Sequence, residues 1–201
     1  MTVPLLSTAY FAPVQYYSQL VQCEQVVIER HEHYNKQSYR NRCTIYSANG
    51  LLDLVVPIVK NDKPKVFITE VEISYDMLWQ KLHFKAIESA YRRSPFFEYY
   101  IDDLMVYFNF RYRYLYEFNM QIMHTVCSLI KIPFRVRESH EYIHSGAGII
   151  DLRNSIHPKI HQKNYISPNY NQVFSDRWGF KPNLSILDLL FNTGPEAKDL
   201  L

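Results

Sequence analysis

The chain opens with short apolar runs separated by breakers. Leu5 and Leu6, followed by Ser7-Thr8-Ala9, predict a short buried strand, and Pro13 then interrupts the backbone. Tyr16, Tyr17, Leu20 and Val21 recur at helical spacing, and Val26-Val27-Ile28 is a β-branched strand run. Strand, turn, helix and strand in that order predict the start of an α/β fold. Cys43–Ala48 and Leu51–Val59 flank Asn49-Gly50, the dipeptide best suited to a tight hairpin turn. On the second strand Leu52, Leu54, Val56 and Ile58 share one face. Val66–Thr69 and Val71–Ile73 predict further strand material.

From residue 76 the period changes. Leu78, Leu82, Ala86 and Ala90 recur every four residues, with Trp79, His83 and Ile87 one position further round. Ser94-Pro95 marks a stop and restart, and helical spacing continues over Phe97 to Tyr107 and Leu115 to Ile130. Phe134–Arg137 alternates like a strand, residues 139–165 carry no period and predict a long loop, and Ser185 to Phe191 predicts a closing helix. Asn183 or Ser185 is placed to cap that helix, and Gly194 to end it. The expected architecture is a single α/β domain over 1–201 with a mixed sheet that includes an antiparallel hairpin at 43–59. A helical layer at 76–131 packs on the mixed part at 1–75, and a loop-rich tail occupies 132–201.

Composition narrows the class. Apolar residues are 47% of the 201, enough to bury a core, and the net charge of +2 lacks the concentrated basic face of a nucleic-acid binder. No apolar run approaches the ~20 residues of a membrane span. Three separated cysteines without a CxxC pair point to a reducing compartment. Residues 1–20 show no secretion signal, so the expected location is cytoplasmic. Tyrosine, at 17 residues against two tryptophans, suits core edges and wet clefts.

Candidate chemistry concentrates in Tyr34-Asn35-Lys36-Gln37-Ser38-Tyr39-Arg40-Asn41-Arg42. Arginine forks match phosphate or carboxylate, lysine adds a mobile charge, and the amides suit sugar hydroxyls. The alternative is an edge strand kept from aggregating by its charges. The first turn, Ala9 to Tyr17, follows a strand end where α/β sheets bind ligands, and the helix start near Gln15 could face an anion. It could equally be an aromatic-filled corner. His140-Glu141-Tyr142-Ile143-His144 matches HExxH, yet Gly146 and Gly148 follow and no helical period surrounds it, so a His-bearing loop is preferred and no metal is assigned. His31-Glu32-His33 reads as a solvated turn. Trp79 and His83 share a helix face, which suits either a core pair or a proton-transfer role for His83. Cys43 is a weak nucleophile candidate through its neighbour Arg42.

The ordered set Tyr10-Phe11-x-Pro-x-x-Tyr-Tyr, Tyr34-x-Lys-x-x-Tyr-Arg-Asn-Arg, Trp79-x-x-x-His83, Ser94-Pro95-Phe96-Phe97 and Pro182-Asn183-Leu184-Ser185 through Gly194 resembles the WbqC-like proteins of bacteria. Where many members carry a His-Gln-Pro-Asn-Tyr-type opening, this chain has Leu6-Ser7-Thr8-Ala9-Tyr10, and Gln15 stands in place of a glycine. The resemblance implies a cytoplasmic protein tied to surface-polysaccharide synthesis. The expectation is a transferase-type enzyme with a phosphate-bearing sugar or nucleotide-linked ligand, no indicated cofactor, and glycan-biosynthesis enzymes as partners. Lys36 and His83 are the candidates for catalysis. Tyr10, Gln15, Tyr34, Arg40, Asn41, Arg42, Trp79 and Asn183 are the candidates for ligand binding, on the premise that the arginines and the aromatic corner meet at one cavity. The alternative is a non-catalytic scaffold of a glycan-assembly complex, with an exposed apolar patch and no deep pocket.

Overall fold

The computed structural model describes residues 2–60, 64–144, 146–160 and 165–201. Strand β1 (Val3–Leu6) leads through Pro13 into helix α1 (Val14–Gln22) and strand β2 (Val26–Ile28), which pairs parallel to β1. This is the βαβ unit expected from the opening residues. Strand β5 (Val136–Glu138) adds parallel to the outer side of β2. Strand β6 (Ile149–Asp151) adds parallel to the other side of β1, so the order is β5-β2-β1-β6. The chain therefore winds outward from β1 to β5 and then returns across β1. The winding reverses between β1 and β6, the position at which open parallel sheets form a crevice at their carboxyl ends.

The hairpin forms where Asn49-Gly50 placed it, with β3 (Arg42–Ser47) antiparallel to β4 (Gly50–Val55) and Gly50 at φ 101°. It stands as a separate two-stranded ribbon. Its second strand ends at Val55, short of the expected Val59, because Pro57 removes a ladder donor. Residues 66–73 are also corrected: a single 3-10 turn at Ile68–Glu70 and isolated bridges replace the expected strands. Residues 61–63, part of the predicted loop there, lie outside the described residues.

Three helices form the layer expected at 76–131: α2 (Trp79–Tyr91), α3 (Phe97–Asn109) and α4 (Leu115–Leu129). Of the two rows read on α2, the inner one is Trp79, His83 and Ile87, while Leu78 and Leu82 face outward. A one-turn helix α5 (Ser175–Trp178) precedes α6 (Ile186–Thr193), which Ser185 caps through its hydroxyl and Gly194 ends at φ 56°. Helix α6 is apolar nearly all round and lies inside the molecule against α1, α3 and β3.

The tail also starts α1. Leu184 O accepts the Val14 amide, and Asn183 Oδ1 accepts the Gln15 amide at 2.9 Å while Asn183 Nδ2 donates to Gln15 Oε1 at 3.2 Å. The helix start near Gln15 is thus occupied by Asn183, and neither side chain faces a recess. Asn183 itself is left-handed, at φ 54°. Asn183→Gly, which keeps that backbone but deletes the cap, is expected to cost about 1 kcal/mol in urea unfolding. Asn183→Ala should cost at least ~1 kcal/mol more, because a Cβ resists the left-handed region. Equal losses would show that the backbone conformation carries no strain.

Candidate functional site

The carboxyl ends of the four parallel strands carry a buried polar network. Ser7 follows β1, Glu29 follows β2, Ser139 follows β5, and Leu152-Arg153 follow β6. Backbone bonds lock these ends together: the Glu29 amide donates to Leu6 O, that of Ser139 to Ile28 O, and that of Leu152 to Leu5 O. Glu29 Oε1 accepts the Ser139 hydroxyl at 2.6 Å and the His31 amide at 2.9 Å. Its Oε2 accepts the Ile143 amide at 2.8 Å and Arg153 Nη1 at 3.3 Å. Arg153 also forks onto Asp151, with Nε to Oδ1 at 2.9 Å and Nη2 to Oδ2 at 2.6 Å, and its guanidinium lies 4.7 Å from the Tyr142 ring centre.

Arg40 enters this network from the basic segment. Its Nε donates to Glu32 Oε1 at 2.9 Å, and Nη2 reaches both Glu32 Oε2 and Ser7 Oγ. Arg40 and Glu32 are both buried, so this pair is an internal fork rather than a ligand clamp. Burial pushes the Glu32 carboxyl up, against the pull of Arg40. The reading of His31-Glu32-His33 as a solvated turn is corrected at Glu32, which is 5% exposed. Between β1, β6 and Arg40 the crevice is only about 10 Å³, room for about one water-sized sphere and for no organic ligand.

Beside it the molecule opens. A recess of about 540 Å³ is bounded by His33, Tyr34, Asn35, Lys65, Tyr142 and Asn154, with Arg40, Glu32 and Arg153 at its base. The basic segment and the turns that follow β6 meet along its edge, where Asn35 Nδ2 lies 3.5 Å from Asn154 Oδ1 and Lys159 Nζ donates to Gln37 Oε1. Burial first, then the charges of Arg40, Lys159 and Arg42, hold the His157 imidazole below the usual range.

The sequence-predicted residues therefore divide. Tyr34 and Arg40 border the recess, and Lys36 stands exposed on the same segment. Arg42 is half-buried, its Nη1 3.5 Å from Asp53 Oδ2. Tyr10, Asn41, Trp79 and His83 lie in the core and line none of the recesses described here. Asn41 Nδ2 donates to Val56 O at 2.8 Å, which ties the basic segment to the chain just beyond β4. Trp79 packs its ring edge-on against His83 and Phe118. The Tyr10 hydroxyl meets His83 Nδ1 at 3.0 Å, and burial pushes His83 down to about 4. Burial thus keeps His83 neutral at neutral pH, within the core. Cys43 is fully buried, and burial pushes its thiol up, the reverse of the shift a nucleophile needs.

Glu29, Asp151, Arg153 and Ser139 escaped the sequence reading. Each is the residue at or just after the end of a parallel strand, a usable signal once the strands are known. Strand β6 sits inside the aperiodic stretch 139–165, so Arg153 could not be placed. The HExxH match is not helical: Tyr142 covers Arg153, and the Ile143 amide serves Glu29. His157 and His161, separated by Pro158, form a weaker histidine pair, and His161 lies outside the described residues.

A parallel sheet with a polar, arginine-bearing carboxyl edge and an adjoining open recess defines an α/β domain with a ligand-sized site at its strand ends. The chain belongs to the WbqC-like protein family, whose model matches residues 8–177 and 156–200. It is similar to "Uncharacterized protein Rv1507c" of Mycobacterium tuberculosis, 25% identical over 224 residues that cover 99% of this chain and 96% of that protein. No solved structure matches. No helix among the described residues is long and apolar enough to cross a membrane.

Proposed function

We propose that this protein is a transferase-type enzyme of bacterial surface-polysaccharide biosynthesis, for lipopolysaccharide or capsule, and that a phosphate-bearing sugar or nucleotide-linked substrate docks in the recess at the carboxyl edge of the parallel sheet. The observation that carries this reading is an open recess at the reversal of the sheet's winding, with the exposed Lys65 ammonium on its rim. Arg40 and Arg153 are spent on internal carboxylates and serve as its rigid base. The groups left for an anion are Lys65 on the rim and Lys36 on the neighbouring segment, while Asn35, Asn154 and His33 suit hydroxyls. Family membership supports the pathway, and the recess supports the ligand class.

The test is thermal unfolding against a panel of nucleotide-linked sugars. A ligand at a hundredfold over its dissociation constant stabilises by about 2.7 kcal/mol. Lys65→Ala with Asn154→Ala, both exposed positions, is expected to erase that shift and leave the unliganded melting temperature in place. A shift that survives the double change, or no shift with any nucleotide-linked sugar, refutes the reading. One observation favours a non-catalytic scaffold: Met77, Leu78 and Leu82 are exposed at 65%, 71% and 56%, a row of apolar side chains around the start of α2. That alternative requires no ligand-induced stabilisation, so the same panel separates the two.

A further inference from the structure

We propose that a second groove, between the ends of α2 and α6 and the segment 171–174, binds a neutral polyhydroxylated chain of the oligosaccharide class. The groove is about 880 Å³, within the range of ligand sites, and shares no lining residue with the recess at the sheet edge. Its polar lining includes the planar side chains of Arg92, Arg93, Asn171 and Asn192, while Gln172 stands in the wall with its amide engaged internally. Its apolar lining includes Pro95 and the half-buried ring of Phe174. Amides and guanidinium forks offer paired donors and acceptors at the spacing of neighbouring hydroxyls, and an apolar wall suits the C–H face of a sugar ring.

Both walls are held before any ligand arrives. On one side the Phe96 amide donates to Phe191 O, and the Ser94 amide and hydroxyl both donate to Tyr91 O. Gly194 lets the Phe96 ring approach so closely that a Cβ there would sit 2.5 Å from it. On the other side Gln172 is 5% exposed, with Nε2 bonded to Asp188 Oδ2 and Lys181 O and Oε1 accepting the Lys181 amide. The Tyr46 hydroxyl reaches both Phe174 O and Gly179 O. Rigid walls spare a ligand the cost of ordering them.

Charge selects the ligand class. Arg92 and Arg93 contribute two positive charges and Glu88 one negative charge. The carboxyl ends of α2 and α6 each add the equivalent of about half a negative charge and the amino end of α3 beside Pro95 about half a positive one, so most of the arginine charge is offset. An anion gains little there, whereas hydroxyls gain hydrogen bonds without paying to desolvate a charge.

The test is an array of neutral oligosaccharides probed with the purified chain, followed by titration of the best-bound glycan while backbone amides are read by NMR. Shifts are expected at Asn171, Gln172 and Phe174. Asn171→Ala with Arg93→Ala should weaken binding by about tenfold or more, while Lys65→Ala with Asn154→Ala leaves it unchanged. Both groove positions are exposed, and circular dichroism checks that the fold is kept. Affinity should hold between about 0.05 M and about 0.5 M salt, since no net charge is neutralised. Three results overturn the assignment: no glycan bound, a steep loss with salt, or a greater effect of the recess variant than of the groove variant.

Discussion

Arg40→Ala is expected to lose about 3–5 kcal/mol of stability, the cost of stranding one partner of a buried ion pair. Glu32 would be left in the interior with its fork gone and only the Ser7 hydroxyl, 3.2 Å away, in reach. The Arg40 carbonyl accepts Asn119 Nδ2 at 2.7 Å, so a backbone shift there would spread into α4. Removing both charges, as in Glu32→Gln with Arg40→Met, deletes the uncompensated carboxylate and should recover a large share of the loss. Urea unfolding of the two variants decides the matter. A loss under about 1 kcal/mol for Arg40→Ala would place that guanidinium at the surface, free to hold a ligand. Loss of ligand binding in an Arg40 variant is therefore no evidence of contact unless the fold is shown to persist.

Asp188→Asn is expected to reverse the balance of two buried groups that titrate in opposite senses. Asp188 sits inside α6, its Oδ2 accepting Tyr170 Oη at 2.7 Å and Gln172 Nε2 at 2.8 Å. Its Oδ1 has no hydrogen bond; the nearby Tyr91 hydroxyl, which takes the Tyr46 amide, falls short of one. Burial pushes the carboxyl from 3.8 up to about 6. Between those values the folded chain binds more protons than the unfolded one, so this group's contribution falls as pH rises through the window, by about 3 kcal/mol. His83 does the opposite. Burial pushes it from 6.5 down to about 4, so the unfolded chain binds more protons there, and stability rises with pH by about 3 kcal/mol.

In the wild-type chain the two slopes nearly cancel between about pH 4 and pH 6.5. In Asp188→Asn the His83 slope is no longer offset by that of Asp188. The variant should match the wild type near pH 4 and exceed it by about 2–3 kcal/mol at pH 7, read from urea midpoints across the range. Parallel curves for the two chains would mean that Asp188 keeps an ordinary carboxyl, and hence that water reaches it.

The elements visible in the sequence were those whose signal is local. The β-branched run at 26–28, Asn49-Gly50 and the helical spacing from Trp79 to Leu129 each formed as read. Strand β6 was not legible because three residues are too few to show a period, and the strand exists through pairing with β1 rather than through its own composition. The spacing on α2 left open which of two adjoining apolar rows meets the core, and the structure buries Trp79, His83 and Ile87 and exposes Leu78 and Leu82. The basic segment stands out by its composition, and the structure places its Tyr34 and Arg40 at the border of the recess. Arginine is as well suited to a buried carboxylate as to a phosphate, and Arg40 pairs with Glu32, eight residues before it in sequence. His83 and Trp79 kept the shared face their spacing implied, but that face is core.

The sheet is assembled from the far ends of the chain. Val3 takes Ile149 as its neighbour, and the bridge from Pro13 to Ser185 fastens the first helix with nearly the last segment. On a ribosome, strand one emerges early with one flank bare and waits until almost everything else has been made. Such distant pairings pay their loop-closure entropy before returning any stabilisation, so slow maturation and an aggregation-prone nascent stage are built into this topology.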